Sequence, residues 1–91
     1  MPTLNELRAQ IDALDADILA RLSERARCAR EVGAIKKAEG SKNIAYYRPE
    51  RERQVLERVA ALNDGPLSDQ EIMRLFREIM SACLALELPL E

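Results

Sequence analysis

Leu4 to Ala38 runs for thirty-five residues without a proline and with a single glycine, and no other stretch constrains the fold as tightly. It is dense in Ala, Leu, Arg, Glu and Lys, all good helix formers. Leu4, Leu7, Ile11, Leu14 and Ile18 recur at steps of three and four, the spacing of one helix face. The rhythm resumes at Cys28, Val32 and Ile35, and between the two runs the seam positions are Arg21 and Arg25. Thr3 followed by Glu6 is the signature of a capping box that opens the helix, and Gly40 and Ser41 mark its end. At a rise of ~1.5 Å per residue such a helix spans about 50 Å. A compact chain of this size should have a radius of gyration near ~12 Å. A rod this long needs apolar cover along its whole length, more than two shorter helices can supply. The sequence therefore predicts an interlocked homodimer.

The segment from Glu39 to Tyr47 keeps no period and reads as a loop. Pro49 fits the first turn of a second helix over about 49–62, with Val55, Leu56, Val59 and Leu62 on its apolar face. Asn63, Asp64, Gly65 and Pro66 stop it. Ser68 and Glu71 repeat the capping signature and open a third helix over about 69–88, which Pro89 closes. Its core-facing residues are expected to be Ile72, Phe76, Ile79, Cys83 and Leu86. No strand pattern or internal repeat appears. The expected architecture is all-α: one domain over 1–91, one long and two shorter helices per chain, in an intertwined helical homodimer.

Composition narrows the chemistry. Fourteen basic and sixteen acidic residues give a net charge of −2, so no global field draws the chain to nucleic acid or to an anionic membrane. Aromatics are 3%, which leaves few platforms for stacking bases. No apolar run approaches the ~18 residues of a membrane span, and the N-terminus lacks the apolar core of a signal peptide. Cys28 and Cys83 fall inside helical patterns without metal-ligand spacing, and both are expected to be buried thiols in a reducing cytoplasm. Histidine is absent, which removes the commonest general base and metal ligand. Any catalysis should need little proton transfer and no metal.

The informative residues break the binary pattern. Arg25, Ala29, Val32 and Lys36 share one helical stripe, so two cations flank a small apolar floor. Arg8 lies 17 residues before Arg25, roughly 25 Å along the axis and about 100° away in azimuth. It cannot reach the same small ligand within one straight helix, although it could join the site of a second, antiparallel chain. Arg51 and Glu52 sit one turn before Val55 and Leu56, and Glu87 falls near the apolar stripe of the third helix. The competing reading makes these charges ordinary solvated ones. Taken together, Arg8, Arg25, Lys36 and Arg51 outweigh Glu52 and Glu87, which suits a small dianion gripped by guanidinium forks.

The segments LRAQIDALDADILARLSERARCAREVGAIK, YRPERERQVLERV and RLFREIMSACLALE closely resemble the all-helical chorismate mutases, above all the N-terminal mutase domain of bacterial bifunctional chorismate mutase–prephenate dehydratases. The likeness covers nearly the whole chain. It implies an intertwined dimer with two equivalent sites, and the rearrangement of chorismate to prephenate in phenylalanine and tyrosine biosynthesis. That pericyclic reaction requires no cofactor, metal, nucleophile or general base. The likeness also implies that a prephenate dehydratase domain can follow in the natural protein. Two alternatives stay open: an isochorismate pyruvate lyase on the same fold, and a non-catalytic helical dimerisation module.

By the same resemblance, Arg25 grips a substrate carboxylate and Arg8 reaches into the partner's site. Lys36 donates to the ether oxygen and a carboxylate, Arg51 is a further site arginine, and Glu52 accepts from the substrate hydroxyl. Arg48 stands where some members have an acidic residue, so only a backbone contact is carried over for it. Cys83 stands where some members have a serine near a carboxylate. Glu87 stands where many have a glutamine that donates to the ether oxygen. An ionised glutamate has no proton to donate, so Glu87 is expected to act as the neutral acid, with activity falling as pH rises.

Overall fold

The computed structural model describes residues 1–39 and 49–87. They form α1 (Leu4–Ala38), α2 (Pro49–Leu62) and α3 (Asp69–Glu87), with no strand among the described residues. The expectation of an all-α chain with one long and two shorter helices holds. The loop expected over 39–47 lies outside the described residues except for Glu39, as do Arg48 and the end of the third helix at Leu88 and Pro89.

Each helix starts for a local reason. At the head of α1, Thr3 Oγ1 accepts from the Glu6 backbone N–H at 3.1 Å, and Glu6 Oε1 accepts in return from the Thr3 N–H at 3.4 Å. This reciprocal capping box satisfies two donors that the first turn would otherwise leave bare. Lys36 and Lys37 lie in the last turn, where cations meet the negative end of the helix dipole. Pro49 opens α2, with Glu50 and Glu52 in its first turn. The α2–α3 corner is fastened by Asn63, whose Nδ2 donates to Leu67 O and Asp69 Oδ1, both at 2.8 Å. Its Oδ1 accepts from the Gly65 N–H. Gly65 takes φ +83°, which a residue without Cβ adopts freely. Ser68 Oγ then caps α3 by accepting from the Glu71 N–H, while the Glu71 carboxylate pairs with Arg74 at 2.6 Å.

The central element is α3. It packs along α1 on one side and α2 on the other, and among the described residues α1 and α2 do not meet. Two helices splayed across a third leave a cleft between them. The buried apolar side chains are few: Ala29, Val55, Val59 and Cys83. Several residues expected in the core stay outside it, with Leu62 and Leu86 exposed. Cys28, expected to be buried, is also exposed, because its side of α1 faces the cleft and not α3. Every residue from Leu4 to Arg21 is exposed, including the entire apolar run from Leu4 to Ile18.

Candidate active site

The cleft is a cavity of about 350 Å³, within the usual range for small-molecule sites. From α1 it takes Arg25, Cys28, Ala29, Val32 and Lys36. Helical periodicity explains that set, since steps of three and four put these side chains on one face over three turns. From α2 come Arg51, Glu52 and Val55, and from α3 Met80, Leu84 and Glu87. Val55 is buried and anchors α2 against α3, which holds Arg51 and Glu52, one turn earlier, at the rim. Arg25, Lys36, Glu52 and Glu87 are half-buried, whereas Arg51 is exposed.

Within the cavity Lys36 Nζ donates to Glu87 Oε1 at 2.7 Å. Both side chains are largely enclosed, with 14% and 18% of their surface exposed. Low water access strengthens the attraction, and it also raises the cost of leaving either charge without a partner. The pair ties the end of α1 to the end of α3.

Most of the residues singled out from the sequence thus converge on one wall or another of the cavity: Arg25, Lys36, Arg51, Glu52 and Glu87. Two described residues do not join them. Arg8 is exposed in the second turn of α1, remote from the cleft. Cys83 is buried and lines a separate groove between α1 and α3, together with Leu22, Ile79 and Leu86, so it is not part of the cavity wall. Arg48 is outside the described residues. Met80, Leu84 and Cys28 are wall residues that the sequence reading did not pick out as such. Counting back from Glu87 by three and then four residues gives Leu84 and Met80, so a single stripe ending on the acid would have found two of them. Among the described residues, no three His, Cys, Asp or Glu side chains converge in a set able to hold a metal ion, and no helix is long and apolar enough to cross a membrane.

Three cations and two carboxylates line a cavity with an apolar floor between three helices, an arrangement that suits a small organic anion. The chain belongs to the chorismate mutase type II family, whose sequence profile matches residues 7–88. It is 56% identical over 89 residues to the bifunctional chorismate mutase/prephenate dehydratase of Stutzerimonas stutzeri, covering 96% of this chain and 24% of that protein. It is 53% identical over 91 residues to the enzyme of the same description from Pseudomonas aeruginosa, covering 97% and 25%. The chain therefore spans about a quarter of the length of these curated relatives. Among solved structures, a chorismate mutase from Thermus thermophilus superposes with a TM-score of 0.86 at 38% identity over 92% of both chains. The chorismate mutase from Helicobacter pylori in complex with prephenate gives a TM-score of 0.81 at 26% identity, covering 92% of this chain and 88% of that one.

Proposed function

We propose that this chain is a chorismate mutase that rearranges chorismate to prephenate in a cavity completed by a second copy of itself. The observation that carries this reading is the set Arg25, Lys36, Arg51, Glu52 and Glu87, drawn from three helices onto one small cavity. Chorismate carries two carboxylates, an ether oxygen and a hydroxyl. Its rearrangement breaks the ether carbon–oxygen bond as a new carbon–carbon bond forms, in one cyclic shift of electrons with no proton gained or lost. A site for this reaction has two tasks. It holds the compact conformer in which the reacting carbons meet, and it stabilises the negative charge that grows on the ether oxygen.

On this reading Arg25 and Arg51 hold carboxylates, with a fork of donors suited to a planar anion. Lys36 donates to the ether oxygen and a carboxylate, and Glu52 accepts from the hydroxyl. Glu87, as the neutral acid, donates to the ether oxygen. The partner's Arg8 supplies a further cation to the cavity. Cys83 contributes through packing and Arg48 at most through its backbone. No cofactor enters the scheme. Two features support the dimer: the exposed apolar run on α1, where even Leu7 is 42% exposed, and the small buried core. A cytoplasmic location accords with the two free thiols. In a protein that also carries a prephenate dehydratase domain, as the bifunctional relatives do, the product would form beside the domain that consumes it.

The test is the loss of chorismate absorbance on adding purified protein, with prephenate identified as the product. Arg25→Ala and Lys36→Ala should each lower kcat/KM by about 10²–10³-fold, the loss typical of a preorganised donor. Absence of prephenate would overturn the reading. Release of pyruvate and salicylate from isochorismate in its place would assign a lyase.

A further inference from the structure

Gly33 is buried in α1, four residues after Ala29 and three before Lys36, on the face turned to α3. Glycine is the poorest helix former after proline, and this one lies within a long regular helix. The reason for it is on the opposite side. A Cβ built on Gly33 would stand 2.7 Å from Glu87 Cα, 2.7 Å from Glu87 O and 3.1 Å from Glu87 C. All three are backbone atoms, so no rotamer change relieves the clash. To reach ordinary contact at 3.4 Å or more, the last turn of α3 would have to withdraw by at least about 0.7 Å. That turn carries the Glu87 carboxylate, which meets Lys36 at 2.7 Å inside the cavity.

We propose that Gly33 is a positioning residue: its missing side chain lets the end of α3 lie against α1, which sets how far Glu87 reaches into the cavity and towards Lys36. Its consequence for catalysis rests on the mutase reading above, whereas its consequence for geometry does not. Rearrangement rates are sensitive to placement at this scale, since a misplacement of about 1 Å can cost ~10²-fold. Gly33 itself touches no substrate. Its effect passes through Glu87 and leaves Arg25, Arg51 and Glu52 where they are.

The experiment is a double-mutant cycle on the full chain. Gly33→Ala should lower kcat at least tenfold while KM changes less than threefold, with helical content kept. The same substitution in a Glu87→Ala background should cost less than twofold. An equal cost in both backgrounds overturns the proposal, and so does loss of the helical fold in Gly33→Ala, which would make Gly33 a residue of the fold and not of the acid. A crystal structure of Gly33→Ala reads the same question without any activity. Separation of Lys36 Nζ from Glu87 Oε1 beyond 3.5 Å supports the proposal, and an unmoved α3 end refutes it. A parent protein that forms no prephenate would sink the mutase reading and leave this structural arm standing.

Discussion

Lys36 and Glu87 hold each other in the cavity, and that contact decides how the site should respond to pH. With Glu87 ionised, its carboxylate engages an ammonium that the substrate also needs, and it repels an incoming dianion. A proton on Glu87 removes the repulsion, loosens its hold on Lys36 and turns the acid into a donor. On the mutase reading only the neutral acid donates to the ether oxygen, so activity should fall as pH rises. Glu87→Gln keeps a donor at every pH and should abolish the alkaline fall. The check is kcat/KM of parent and variant across the same pH range. An alkaline limb of the same size and position in both would show that another group titrates.

Among the elements, α1 depends most on its ends, because its N-terminal half has no tertiary cover among the described residues. The Thr3–Glu6 box is therefore expected to matter in proportion. Thr3→Ala should cost about 1 kcal/mol and lower the thermal midpoint by roughly 4–8 °C, as followed by circular dichroism, with kcat at 25 °C unaltered. A midpoint within a degree of the parent would mean that other contacts hold this end. Such boxes are legible in a sequence because their partners lie only three residues apart, as is the Asn63–Gly65–Pro66 corner, whose partners lie within six. The stripe from Arg25 to Lys36 is legible for the same reason. The faces of α3 are not. It serves two neighbours at once, so Ile79 and Cys83 turn to the groove with α1 while Met80, Leu84 and Glu87 turn to the cavity. A periodicity that assumes one buried face merges the two stripes. Cys28 misleads similarly, because a thiol counts as apolar in the pattern while its position faces an open cleft. Gly33 is visible only as a weak spot in a helix until the backbone that crosses it is known.

At the scale of the whole molecule, one chain is too long and too bare. Its radius of gyration is 16.7 Å and its extents are 58 × 24 × 17 Å, against the ~12 Å radius of a compact chain of this length. It exposes 7636 Å², where a folded monomer of its mass exposes roughly 5,400 Å². The proposed dimer answers both excesses. Light scattering should return twice the 10.3 kDa of one chain. Arg8→Ala and Arg25→Ala should each be severely impaired alone, yet regain up to one intact site per mixed dimer after co-refolding. Mixed dimers that stay inactive would show that Arg8 does not complete a neighbour's cavity.

The reach of α1 has a further consequence, in mass action. When a site borrows a cation from another chain, turnover belongs to pairs and not to single molecules. On the shared-site reading, diluting the protein below its dissociation constant makes the rate per chain fall with chain concentration. A ligand bound by both chains opposes that fall, since whatever binds only the assembled form draws it together. Specific activity would then rise with the amount of protein before reaching a plateau, and saturating substrate would move that plateau to lower concentrations.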